Sequence, residues 1–126
     1  MVTSFSYGQV TTNGGSGLSA TYPSLNDAIT ALNGATIASP VFITLTGDET
    51  APAGGYVITA SGSAENTITI QGTGNLTASN ALIVGVLHDA IIELQGADYV
   101  TIDGFTLLEN SANTTTAAAS NNMTEW

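Results

Sequence analysis

The chain has 126 residues, with ten Asp and Glu residues, a single His and no Lys or Arg, which gives a formal net charge of −10 at pH 7. A protein without Lys or Arg lacks the cations that bind phosphate groups, so this composition excludes nucleic acid as a partner. Hydrophobic residues make up 43 % of the chain, enough for one folded domain with a modest core, and no apolar run is long enough to predict insertion into a membrane.

The remaining polar residues are mostly Thr, Ser and Asn, and the chain contains no Cys. A surface rich in hydroxyl and amide groups is typical of proteins outside cells, and a segment without Lys or Arg offers trypsin-like proteases no cleavage site. We therefore expect an extracellular or cell-surface location. The alternative is that the segment is a low-charge piece of a longer, ordinary chain.

The first predicted element is an α-helix over residues 24–33. Ser24 is placed to cap its first turn, Asp27 lies three residues later at the capping-box position, and Gly34 is placed to end the helix. The apolar face of this helix consists of Leu25, Ile29 and Leu32.

Five β-rich runs follow, over residues 41–46, 56–59, 66–71, 90–95 and 99–103. Alternation predicts that one face of these strands points to the core and carries Ile43, Leu45, Ile68, Ile70, Ile92, Leu94, Val100 and Ile102. The outward positions are Thr44, Thr69, Glu93 and Thr101. A glycine follows nearly every run, at positions 47, 62, 72, 96 and 104, where a corner between strands needs a positive φ or a close backbone approach.

Similar strand-then-glycine phrases begin at residues 67 and 91, which are 24 residues apart. Irregular repeats of this size predict an all-β fold in which successive coils stack as a parallel solenoid, with the helix as an N-terminal cap. A β-sandwich is the alternative fold. We expect one domain over residues 1–126, with a cap over 1–40 and coils over 41–126. A polar loop is predicted at about 109–122, and the last residues, 123–126, resume a strand-like pattern.

Three stretches carry a resemblance to a known family: residues 22–25 with the following helix, residues 66–70, and above all residues 94–104. Over roughly residues 5–126 the chain resembles the N-terminal part of the secreted and cell-surface right-handed parallel β-helix (pectin-lyase-like) proteins of Bacteroidota, which often use type IX secretion. The resemblance implies a right-handed β-helix. It also implies a non-enzymatic structural or adhesive role, as stalk, adhesin or filament subunit, with glycans or further copies of the chain as partners.

We predict no catalytic residue in this chain. The pectate-lyase mechanism that the resemblance implies needs an Arg or Lys base, and both residue types are absent. Glu93 and Asp103 are the best outward-facing carboxyl pair for a glycosidase, but solvated surface charges explain them more simply. The alternative function is an N-terminal fragment of a polysaccharide-acting β-helix enzyme whose catalytic residues lie beyond Trp126.

No organic cofactor is predicted, and Ca²⁺ is the one candidate metal. Asp48, Glu49, Asp98 and Asp103 are candidate ligands, because Ca²⁺ prefers several oxygen donors and these carboxylates lie beside turns. The competing interpretation is that they hydrogen-bond to the backbone at corners. His88 beside Asp89 lacks the partners of a catalytic or metal site, which favours a loop histidine.

Thr44, Thr69 and Thr101 are the predicted surface-binding residues. Ladders of outward Thr on a flat solenoid face order water in ice-binding proteins, which makes ice binding the second alternative function. We expect Glu93 to interrupt the column that contains Thr69.

Overall fold

The computed structural model describes residues 10–80 and 90–114 and consists mostly of short strands. In chain order the elements are β1 (Val10–Thr12), a 3₁₀ turn (Gly15–Gly17), β2 (Thr21–Tyr22), α1 (Leu25–Asn33), β3 (Val41–Leu45), β4 (Glu49–Thr50), β5 (Tyr56–Ile58), β6 (Ile68–Gly72), β7 (Asn75–Thr77), β8 (Ile92–Leu94), β9 (Val100–Asp103) and β10 (Thr106–Leu108). The all-β class is confirmed, with one α-helix. His88, Asp89, residues 115–122 of the predicted polar loop and residues 123–126 lie outside the described residues.

The predicted helix is confirmed, because local signals determine both of its ends. The Ser24 hydroxyl accepts a hydrogen bond from the Asp27 backbone N–H at 3.1 Å and donates one to Asp27 Oδ2 at 2.8 Å. Gly34 follows the last helical residue in the right-handed region, with φ −91° and ψ −5°. The buried side of the helix consists of Leu25, Ala28, Ile29 and Leu32.

The strands from β3 onward are distributed over three sheets in a repeating order. A five-stranded sheet has the order β2-β1-β3-β6-β9, a three-stranded sheet has the order β10-β7-β4, and β5 and β8 form a two-stranded sheet. The chain thus visits the five-, three- and two-stranded sheets in turn and then returns to the first. All pairs among β3 to β10 are parallel, whereas β1 pairs antiparallel with both β2 and β3.

The strand register stacks apolar side chains in columns that form the core. One column consists of Ile43, Ile70 and Ile102. A second, equivalent column consists of Val41, Ile68 and Val100. The first two members of each column are buried, whereas Val100 and Ile102 at the end are only partly buried. The predicted inward residues of β3 and β6 are therefore confirmed.

Leu94 departs from the sequence prediction because half of its side chain is exposed. It pairs with Ile58, which is 1 % exposed, whereas Leu94 itself is 50 % exposed. Within the described residues β8 pairs with β5 alone, so a second neighbour that would cover Leu94 is absent there. Ile91, just before β8, is the buried residue of this run.

Five strands were not predicted: β1, β2, β4, β7 and β10. Each has only two or three residues and lies outside the longer β-rich runs that the sequence shows. Their existence depends on neighbours in the sheets, which the local sequence does not reveal.

The corner after β9 needs a glycine for two separate reasons. Gly104 has φ +82°, and a Cβ atom placed on it would collide with the carbonyl oxygen of Gly72, the last residue of β6. Gly96 also has a positive φ, +66°, but a Cβ atom there meets nothing within 4 Å. The two positions share the conformational requirement and differ in packing.

We predict that Gly104→Ala destabilises the protein more than Gly96→Ala. The positive φ costs about 1–2 kcal/mol at either position, and the collision adds about 1–3 kcal/mol at position 104. Urea unfolding of both variants measures the difference. Equal losses would show that corner packing contributes nothing.

Candidate functional site: the cap contacts and the outer face of the five-stranded sheet

The side-chain amide of Asn33 binds the backbone of β5 in the way that a neighbouring parallel strand would. Its Nδ2 donates to the Val57 carbonyl oxygen at 2.8 Å, and its Oδ1 accepts from the Thr59 backbone N–H at 2.9 Å. In a parallel sheet, one residue bonds to groups on either side of its partner, which here is Ile58. One amide at the end of α1 thus satisfies groups that β5 would otherwise leave unpaired.

Asn13 forms the same arrangement on β3. Its Nδ2 donates to the Pro40 carbonyl oxygen at 3.0 Å and its Oδ1 accepts from the Phe42 backbone N–H at 3.1 Å, on either side of Val41. The Oδ1 atom also accepts from the Gly15 backbone N–H at 3.0 Å. We call Asn13 and Asn33 the clamp asparagines, because they attach the segment from β1 to α1, which we call the cap, to the backbone of β3 and β5.

Glu49 connects the other end of α1 to the sheets. Its Oε1 and Oε2 atoms lie 3.1 Å and 3.0 Å from the Leu25 backbone nitrogen, and its Oε1 also accepts from the Tyr56 hydroxyl at 3.1 Å. The carboxylate therefore sits at the positive end of the helix dipole and pairs with an N–H that has no partner within the helix. The sequence carried no local sign of this role, because Glu49 and Leu25 are 24 residues apart.

Burial is the main reason that the pKa of Tyr56 lies well above its ordinary value of 10, and the adjacent Glu49 carboxylate raises it further. The tyrosine side chain is fully buried. It therefore keeps its proton in the folded protein and remains a donor to Glu49.

The outer face of the five-stranded sheet carries hydroxyl and amide groups in register. One column across the strands consists of Thr21, Thr11, Thr44, Gln71 and Asp103. Within it, Gln71 Nε2 donates to the Thr44 hydroxyl at 3.1 Å. The face therefore has a polar surface with one carboxylate at its edge.

The three predicted surface threonines do not form one ladder. Thr69 pairs with Thr101, but its partner on the other side is Phe42, which is 44 % exposed, while Thr44 belongs to the column of Gln71. The expectation that Glu93 interrupts the Thr69 column is wrong, because Glu93 lies in the two-stranded sheet opposite Val57. An aromatic ring interrupts the threonines instead, which removes the regular array that ice binding was predicted to use.

The candidate Ca²⁺ ligands lie at different places in the fold. Asp48 Oδ1 accepts from the Asn75 backbone N–H at 2.7 Å, and adjacent Glu49 is directed to α1 and Tyr56. Asp98 lies in the corner before β9, where its backbone N–H donates to Ser61 Oγ at 3.0 Å, and Asp103 is the last residue of β9. Within residues 10–80 and 90–114, no three or more His, Cys, Asp or Glu side chains group together to hold a metal ion.

Glu93 and Asp103, the carboxyl pair considered for a glycosidase, belong to different sheets. Glu93 lies in β8 and accepts from Gln95 Nε2 at 2.8 Å, whereas Asp103 lies in β9 opposite Gln71. They are separated because the chain moves to another sheet between β8 and β9.

Sequence reasoning missed the clamp asparagines, Glu49 as a helix partner, Tyr56 and Phe42. The Asn-Gly pairs at positions 13–14 and 33–34 were visible as turn signals, but their partners lie 24 to 29 residues away. Only the fold reveals the contacts.

Comparisons with protein-family models, with curated proteins and with solved structures give no match. Among the residues that the structure describes, no helix is both long enough and apolar enough to span a membrane.

We predict that the free energy of unfolding falls as the pH rises above about 10. Unfolded tyrosine ionises near pH 10, whereas folded Tyr56 retains its proton, so the unfolded state is favoured by up to about 1.4 kcal/mol per pH unit. Chemical unfolding across the alkaline range measures this slope. Tyr56→Phe should reduce it, and Phe42→Ala, which removes an exposed ring without a titratable group, should not. An unchanged slope in Tyr56→Phe would contradict the prediction.

Proposed function

We propose that the chain is the capped end of a right-handed parallel β-helix that serves as a non-enzymatic extracellular structural and adhesive module. The repeating order of strands supports it: β3, β4 and β5 enter three different sheets, and β6, β7 and β8 return to the same sheets in the same order. One turn of a three-sheet β-helix has this strand order.

Parallel strand pairing is the observation that best supports the proposed β-helix. The pairs β3–β6–β9, β4–β7–β10 and β5–β8 are all parallel, whereas a β-sandwich has mainly antiparallel pairs. Crossovers between parallel strands of one sheet are right-handed in about 98 % of cases, which supports the proposed hand.

The two ends of the stack differ, which supports a role in an elongated assembly. At the N-terminal end the clamp asparagines, β1 and Glu49 cover the first coil. At the other end, β8, β9 and β10 each have one paired neighbour within the described residues. Edges of this kind are where strands are added.

Charge favours a glycan over a second copy as the partner. Glu93, Asp98, Asp103 and Glu109 all belong to the last described turns, and the chain has no Lys or Arg to oppose them. Two copies meeting there would bring carboxylates together and would need salt to screen them. A neutral glycan meets no such repulsion.

The outer face of the five-stranded sheet is the proposed glycan surface. Phe42 is exposed between Asn13 and Thr69, and an aromatic ring packs well against the apolar face of a sugar. Thr44, Gln71 and Asp103 add hydroxyl, amide and carboxylate groups beside it for hydrogen bonds to sugar hydroxyls. Together with the absence of Lys and Arg, this surface supports an extracellular location.

The strand order predicts which cysteine pairs form disulfides in a chain that otherwise contains no Cys. Thr50→Cys with Thr77→Cys, and Val57→Cys with Glu93→Cys, place thiols at register partners in two sheets, within disulfide range. Val57→Cys with Gln95→Cys is two residues out of register and should remain reduced. Oxidation followed by non-reducing electrophoresis measures the result. A reduced chain in both register pairs would contradict the coil order.

Glycan binding provides the functional test. A panel of neutral and acidic polysaccharides should show binding to neutral chains, and Phe42→Ala should weaken it roughly three- to tenfold. Thr50→Ala, an exposed change on the three-stranded sheet, is the matched control and should bind normally. No binding on the panel, together with only dispersed monomers by electron microscopy at high salt, would refute the structural and adhesive role.

A further inference from the structure

Both clamp asparagines are followed by glycine. The chain has only two Asn-Gly pairs, Asn13-Gly14 and Asn33-Gly34, and both are used to attach the cap to the first coil. Asparagine is chemically labile, and a following glycine makes it most reactive because the small residue leaves its own nitrogen accessible.

The reaction needs no enzyme, oxidant or cofactor. The Gly34 backbone nitrogen attacks Asn33 Cγ, a C–N bond forms to close a succinimide ring, and the side-chain nitrogen leaves as ammonia. Water then opens the ring to Asp or isoaspartate. The net change is an amide plus water converted to a carboxylate plus ammonium.

In the closed cap, both attacking nitrogens are held by hydrogen bonds. The Gly34 N–H donates to the Ala31 carbonyl oxygen at 3.2 Å, and the Gly14 N–H donates to the Thr12 hydroxyl at 2.9 Å. The electrophilic amides are held as well, since each one binds a carbonyl oxygen and an N–H of the first coil. The closed cap therefore opposes the geometry of ring closure.

Deamidation would also remove what holds the cap. A carboxylate at position 33 has no N–H to donate to the Val57 carbonyl oxygen and would place negative charge 2.8 Å from it. The same holds at position 13 against Pro40. Loss of the hydrogen bond is compounded by repulsion between the carboxylate and carbonyl oxygens.

We propose that Asn13 and Asn33 are deamidation sites gated by the cap: closure protects them, opening lets them react, and the products prevent the cap from closing again. A transient opening thereby becomes a permanent covalent change. This inference is independent of the proposed glycan and assembly roles.

Deamidation of the full chain, with and without urea, tests the gating. Both sites should react faster in urea than asparagines such as Asn26 and Asn66, which do not precede glycine. In the folded protein they should react at least about tenfold more slowly than in urea, the factor set by a local opening free energy of about 1.4 kcal/mol. Mass spectrometry reads each site after pepsin digestion in acid, because trypsin has no cleavage site. Equal rates with and without urea would overturn the proposal.

Two variants test the consequence. Gly34→Ala should slow the reaction at Asn33 in urea without opening the cap, because Gly34 has a negative φ and an added Cβ atom meets its nearest neighbour, the Ala31 oxygen, at 3.7 Å. Asn33→Asp mimics one product. Because the cap should no longer close in this variant, we expect a lower melting temperature and faster hydrogen exchange at the Thr59 N–H, which Asn33 Oδ1 binds in the closed cap. A stable Asn33→Asp protein with normal exchange would overturn the second half of the proposal. If this variant does not fold, wild-type protein aged in urea and returned to buffer must show the same faster exchange.

Discussion

On one side of β3 and β5, no parallel strand lies within the described residues, and the rest of the structure depends on how their backbone groups find hydrogen-bond partners there. An unpaired strand edge invites association with other chains and leaves polar groups without partners. Here β1 covers β3 with an antiparallel pairing, while the side chain of Asn33 covers β5 from the end of a helix. Once these groups are satisfied, each of β6 to β10 pairs with the previous strand of its own sheet, and the apolar columns through Ile43 and Ile58 follow.

Glu49 gives the cap a second attachment, and its position resolves two requirements at once. The helix presents an unpaired N–H at Leu25, and buried Tyr56 has a hydroxyl that needs a partner. One carboxylate serves both, so the acidic residue that resembled a metal ligand in the sequence is a structural partner in the fold. In a chain with no Lys or Arg, backbone and tyrosine donors take the place that salt bridges occupy in other proteins.

The sequence predicts those parts of the fold that local signals determine. Ser24 and Asp27 define the start of the helix, and the alternation around Ile43 and Ile68 defines two long strands. The other parts of the fold depend on contacts between residues that are far apart in the sequence, and local signals do not predict those contacts. Asn33 contacts Val57, which is 24 residues away in sequence. Leu94 is exposed because β8 has β5 as its one neighbour among the described strands, which the residues around Leu94 in the sequence do not reveal. Phe42, the residue that interrupts the threonine face, was read only as part of a strand, because its neighbours across the sheet depend on register.

The decline in burial from Ile58 to Leu94 across one register step has a mechanical consequence. Because each strand pairs only with its neighbours in its own sheet, resistance to opening depends on the position of the strand in that sheet. Among the described strands, β8, β9 and β10 contain no fully buried side chain, whereas β3 and β6 do, so denaturant should separate β8, β9 and β10 first and reach β3 later. The strands that the clamp asparagines hold, β3 and β5, would then be among the last to lose their hydrogen bonds.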